Sequence, residues 1–207
     1  MPGCGCEIEI KDREQSRVLV ILLAINGVMF VVEMIAGIIG DSTALIADSL
    51  DMLADATVYG IGLYAVGRSL LVKAKAAHIS GIFQIMLGLG VLFDIVRRFI
   101  VGSEPEPMMM MAVGAVALIA NSICLMLIYK HRQGEVHMRA SWIFSKNDVI
   151  ANLGVICGGL LVAWLGSPWP DLVIGLAIAM LVVRGGVHII KDARSEKKLR
   201  LRLLKID

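Results

Sequence analysis

The chain has 207 residues, of which 57% are hydrophobic, 18% charged and only 5% aromatic, and its mean hydropathy is +0.79. A soluble domain is about half apolar and a quarter charged, so the surplus of Leu, Ile, Val, Ala and Met excludes an ordinary water-soluble globule and points to helices in lipid. The formal net charge of +2 says little as a total, and four cysteines, two of them inside apolar segments, do not make a disulfide scaffold.

Residues 1–17 read as a polar arm, where Cys4-Gly5-Cys6 followed by Glu7 offers a thiolate pair able to catch a soft cation. A membrane helix needs roughly 20 mainly apolar residues, and six segments qualify: about 18–40, 43–66, 77–100, 108–130, 140–166 and 171–190. The first is too long for a signal peptide, contains Glu33 and leads directly into a second span, so it reads as structural. Asn26 and Glu33 share one of its faces and read as packing groups, with a proton relay through Glu33 as the sharper alternative.

The third span carries Asp94 beside Arg97 and Arg98, a local ion-pair pattern, and is thinned by Gly88 and Gly90. The fourth opens on Met108–Met111 and holds Asn121 and Ser122, which suit bonds between helices. In the fifth, Gly154 and Gly158 form a small-residue packing pair, and Lys146 can snorkel outward or tune Asp148 two residues away. His131 and His137 precede this span. The basic tail 191–207 carries Leu199, Leu201, Leu203 and Leu204 among its Lys and Arg, a pattern suited to an anionic lipid surface. Arm and tail are both too short to fold as separate domains.

Cytoplasmic loops of membrane proteins are enriched in Lys and Arg. With six spans both termini share a side, and sixteen of the 20 Lys and Arg fall there, against Arg97 and Arg98 alone on the opposite side. Both termini are therefore expected in the cytoplasm.

Ionisable groups inside spans are costly and mark function. In the second span Asp48, Asp51 and Asp55 stand at i, i+3 and i+7, on one helical face. Three carboxylates in a low dielectric either hold protons or share a cation. In the fifth, Asp148 and Asn152 share a face at i, i+4. The two spans run in opposite directions. At ~1.5 Å per residue Asp55 lies ~18 Å from the outer end and Asp148 ~12 Å from the inner end, which match in depth across a ~30 Å core. Two antiparallel helices thus gather oxygen ligands near the midplane, as a transported divalent cation requires.

The chain resembles the cation diffusion facilitator family of metal/proton antiporters. The resemblance covers about residues 18–190 and rests on Ala47-Asp48-Ser49-Leu50-Asp51-Met52-Leu53-Ala54-Asp55, on Ala140-Ser141-Trp142 through Asp148 with Gly154-Val155, and on Glu33, Asn121 and Pro170-Asp171. In that family a (His/Asp)-x-x-x-Asp pair on span two faces a His-x-x-x-Asp pair on span five. Carried over, Asp51 and Asp55 form the first pair and Asp148 ends the second. The family's span-five histidine falls on Phe144, so the fourth ligand is absent or comes from Asn152, Asn147, Asp48 or water. An all-oxygen site tilts toward manganese or iron(II), whereas zinc is the family's commonest substrate and the N-terminal thiols favour soft ions. Most members also carry a cytoplasmic ferredoxin-like domain, which residues 191–207 cannot supply.

The resemblance thus implies an all-α membrane protein, a six-transmembrane-helix bundle of the bacterial inner membrane, as a short member lacking that cytoplasmic domain. Its organisation is 1–17 arm, 18–190 efflux domain and 191–207 tail. It is not an enzyme; its partners are a divalent metal cation (zinc, manganese or iron(II) foremost), protons and lipid, with a homodimer as an assembly and no nucleic acid. The competing readings are an intramembrane aspartyl protease using paired carboxylates, against which stands the missing Gly-x-Gly-Asp element, and a membrane protein that binds metal without moving it.

Overall fold

The computed structural model describes residues 4–65, 70–130 and 136–203, all in helices and their connections. The described residues form six helices: α1 Cys4–Ile39, α2 Thr43–Ala65, α3 Leu70–Val101, α4 Pro107–Tyr129, α5 Val136–Leu165 and α6 Trp169–Leu203. Each covers one expected span to within one residue. α1, α3, α5 and α6 overrun those spans at the end of the bundle that bears the termini. The polar arm from Cys4 is the first part of α1, and the basic tail through Leu203 continues α6. The charged residues of these extensions are good helix formers. Continuing the helix also satisfies backbone groups that would otherwise be orphaned at the membrane boundary.

The turns at the opposite end are tight. Gly102 (φ 93°) and Gly166 (φ 60°) end α3 and α5 in the left-handed region. Their N–H groups donate to Arg98 O at 2.8 Å and Val162 O at 2.9 Å, closing the last turn at residues that carry no Cβ penalty. Pro107 starts α4 behind Glu106, whose side chain accepts from the N–H groups of Met108 and Met109.

Among the described residues, five helices are long and apolar enough to cross a membrane; α2 is not, because Asp48, Asp51 and Asp55 interrupt it. Packing resolves the conflict. α2 touches all five other helices, and nearly every residue from Thr43 to Ala56 is buried. The carboxylates are thereby kept from hydrocarbon. The outer surface is apolar, with Phe93 75% and Trp164 81% exposed, as lipid-facing helices require.

α3 and α6 make the closest approach. A Cβ on Gly81 would stand 2.7 Å from Gly186 O, and one on Gly186 equally close to Gly81 O, so both positions need glycine for the backbones to meet. Gly154 and Gly158, expected to pack, do so against Ile174 of α6, whereas Gly90 faces open space.

A carboxylate-lined cavity between helices two and five

α2 enters the bundle in a fixed pose. Its first N–H groups have no intrahelical acceptors, and Asp171 from α6 takes them: Thr43 N donates to Oδ2 at 2.7 Å and Ala44 N to Oδ1 at 3.0 Å. Ser42 Oγ donates to the same carboxylate at 2.6 Å. The negative charge also meets the positive end of the α2 dipole.

Counted from Thr43 at ~1.5 Å per residue, Asp51 lies ~12 Å and Asp55 ~18 Å down the helix. Both line a cavity of about 370 Å³, and Phe144, Asn147 and Asp148 of α5 line its other wall. Asp55 and Asp148 face each other within hydrogen-bonding reach. Asp51, Asp55 and Asp148 are all buried, and among the described residues no ion pair reaches them.

Asp55 Oδ2 receives a hydrogen bond from Tyr59 Oη at 3.0 Å, and Tyr59 Oη lies 3.3 Å from Ser145 Oγ. Asp148 Oδ2 has no partner. Two carboxylates in contact away from water share a proton or a cation. Among the described residues, no three His, Cys, Asp or Glu side chains are gathered tightly enough to hold a metal ion already. What stands ready is an oxygen-rich wall pair, Asp51 and Asp55 opposite Asn147 and Asp148.

Two expected ligands point elsewhere. Asp48 is not among the residues lining the cavity; it faces Glu33 of α1 within hydrogen-bonding reach. Both Glu33 oxygens are buried without a donor, so this is a second acidic pair beside the first. Asn152 is fully buried, also outside the cavity lining; its Nδ2 donates to Asp148 O at 2.6 Å, while Oδ1 has no partner.

Of the other polar residues, Asp94 pairs with Arg97 at 2.7 Å and Arg98 at 2.6 Å, as its neighbours implied. Lys146 sits 5.9 Å over the Trp142 ring, an exposed cation–π contact. Asn26 Nδ2 donates to Leu22 O at 2.9 Å and Asn121 Nδ2 contacts Met52 Sδ at 3.8 Å. The side chains of Cys4, Cys6 and His137, and all of His131, lie outside the described residues.

Sequence reasoning missed Tyr59, Ser145, Gln84 and His188. Tyr59 had a signal, since it stands four residues past Asp55 on the same face. Gln84 and His188 are polar residues on α3 and α6 whose presence in the cavity depends on how those helices pack.

The profile of the cation efflux transmembrane domain matches residues 19–196. The chain belongs to that family. It is a multi-pass membrane protein, and its family is one of transporters. It is 25% identical over 192 residues to the cadmium, cobalt and zinc/H(+)-K(+) antiporter of Bacillus velezensis, a match covering 84% of this chain and 60% of the relative. Identity with the zinc transporter ZitB of Escherichia coli is 24% over 200 residues, 90% of this chain and 64% of that protein. The metal cation efflux system protein CzcD of Cupriavidus metallidurans is 24% identical over 179 residues, covering 81% and 57% respectively. The chain spans about 60% of the length of these curated relatives.

Proposed function

We propose that the chain carries a divalent metal cation across the bacterial inner membrane, out of the cytoplasm and in exchange for protons. The observation that carries this reading is the shared cavity of Asp51, Asp55 and Asp148. A cation entering it would displace protons from the acidic cluster of Asp51, Asp55 and Asp148, and reprotonation on the far side would release it. Asn147 supplies a neutral oxygen, and Asn152 has a free Oδ1 next to Asp148. Asp48, paired with Glu33, is an auxiliary acid behind the cavity.

The cargo class follows from the names of the relatives, which transport zinc, cadmium and cobalt. Phe144 at the expected imidazole position makes the deep site all-oxygen, so manganese and iron(II) are the ions to test against zinc. The excess of Lys and Arg on the side of the termini supports cytoplasmic arm and tail at 1–17 and 191–207, flanking the efflux region 18–190. Lipid surrounds the bundle, and a homodimer is the assembly to look for.

Proteoliposomes with an internal pH dye and a zinc indicator test the reading. Zinc uptake coupled to opposite proton movement is expected, with Asp51→Ala and Asp148→Ala each lowering the flux by about a hundredfold or more. Undiminished flux in either variant overturns it.

A further inference from the structure

The cavity is not confined to α2 and α5. Counted from Trp169 at ~1.5 Å per residue, Gly185 lies ~24 Å and His188 ~28 Å along α6. Counted from Val101, Gln84 lies ~26 Å along α3. All three line the same cavity as Asp51 and Asp55. The order by depth is therefore Asp51, Asp55, Gln84, His188, running from the middle of the bundle to the end that bears the termini.

Gln84 is buried, 3% exposed, and its Oε1 has no hydrogen-bond partner. A Cβ on residue 185 would stand 2.8 Å from Gln84 Nε2, so Gly185 is what lets the amide lie here. A buried, unpartnered carbonyl oxygen costs free energy unless something fills its lone pairs.

At the outermost step His188 Nε2 lies 3.4 Å from Asp192 Oδ2, one helical turn on, and both side chains are open, 72% and 61% exposed. Two ligands on a tetrahedral ion with ~2.0 Å bonds stand ~3.3 Å apart, so the pair already has the spacing of two ligands on one zinc-sized ion. His188-Ile189-Ile190-Lys191-Asp192 also supplies, on α6, the imidazole-plus-carboxylate pairing that Phe144 removes from α5.

We propose that His188 and Asp192 form a cation-capture site at the mouth of the cavity, with Gln84 Oε1 as the stepping ligand toward Asp51, Asp55 and Asp148. The inference rests on the efflux reading for its purpose, but not for its existence as a binding site. Its ligand is a hydrated divalent ion of zinc type, which keeps waters in the positions the two side chains leave open. Arg184, one turn deeper in the same wall, opposes a resting cation and keeps capture weak and exchangeable.

Zinc calorimetry on the full chain, purified with a tag free of histidine, tests this alongside zinc flux. In a Cys4→Ser/Cys6→Ser background, which removes the other candidate thiolate site, the Asp51→Asn/Asp55→Asn/Asp148→Asn variant should keep a weak zinc-binding phase that disappears when His188→Ala is added and returns with His188→Cys, another zinc ligand. In the otherwise unaltered protein, His188→Ala should raise the KM for zinc flux about fivefold and Gln84→Leu should raise it by a similar factor. His188 is exposed, so its truncation leaves the packing intact and the KM measurement decides even if the triple variant misfolds. A weak phase that survives His188→Ala, or an unchanged KM, reduces the pair to a surface ion pair and overturns the proposal. If wild-type vesicles move no zinc, the efflux reading falls, and the calorimetric phase still decides the capture site.

Discussion

Phe144 shows how one side chain sets the chemistry of this cavity. It lines the wall beside Asn147 and Asp148, where an imidazole would complete a mixed nitrogen and oxygen set, and it offers only an apolar ring. Oxygen-only donors bind hard ions best, and imidazole raises affinity for zinc far more than for manganese. Phe144→His is therefore expected to tighten zinc binding by about tenfold and manganese binding much less. Parallel calorimetric titrations with the two ions check this, and an unchanged zinc-to-manganese ratio would show that residue 144 does not reach the ion. The site was legible from sequence to this depth because its residues are acids in apolar spans at helical spacing. Asp51, Asp55 and Asp148 could be paired by direction and depth alone. The orientation of Asp48 toward Glu33 could not be read, since a stripe from i to i+7 runs ~10 Å along the helix, long enough for its two ends to meet different neighbours.

α2 raises the question of how a helix with three aspartates stays in a membrane bundle. Its place among five neighbours answers half of it, and its N-terminus answers the rest. Asp171 satisfies Thr43 N, Ala44 N and Ser42 Oγ together, and is itself fully buried. Removing a capping carboxylate costs ~1–2 kcal/mol, and more where the orphaned donors stay buried. Asp171→Ala should lower thermal stability in detergent by about that amount and weaken metal binding, because Asp51 and Asp55 hang from the helix so positioned. Asp171→Asn, which keeps an acceptor oxygen, should recover part of both. Thermal unfolding followed by circular dichroism, with and without zinc, reads the effect, and a wild-type profile for Asp171→Ala would remove the clamp from the account. The six helices were legible from their lengths and mainly apolar sequences, five of them by hydropathy outright and α2 despite its three aspartates. This clamp was not, since Pro170-Asp171 reads locally as a helix start and its partners lie over 125 residues away in sequence. The helical extensions beyond the bilayer were also missed, because hydropathy marks where lipid ends and not where backbone hydrogen bonding does.

Across the whole bundle, the cavity and the polar ties lie at opposite ends. The exposed polar lining residues, Arg184 and His188, are on the side of the termini. On the other side Arg98, only 4% exposed, bonds Asp94 at 2.6 Å and reaches Asp41 in the α1–α2 turn through both its side chain and its carbonyl oxygen. Glu104 N donates to Asp41 Oδ2 at 2.8 Å and Glu106 N to Gly40 O at 2.8 Å, while Phe99 and Trp169 meet edge-on at 5.5 Å. These contacts tie α1, α3, α4 and α6 together above the buried carboxylates. On the proposed exchange reading this geometry is one of two that the bundle must visit, and release on the far side requires these ties to break. Arg98 is the most connected of them. Hydrogen bonds to charged groups are worth ~1.5–3 kcal/mol each, and a bias of ~1.4 kcal/mol shifts a two-state population tenfold. Arg98→Ala should therefore favour the conformation open on that side. With native cysteines replaced and Leu45, fully buried in the first turn of α2 beside the clamp, changed to Cys, an impermeant thiol reagent applied from that face should label the Arg98→Ala background about tenfold faster. Equal labelling rates in both backgrounds would mean that Arg98 stiffens the turn without holding the bundle shut.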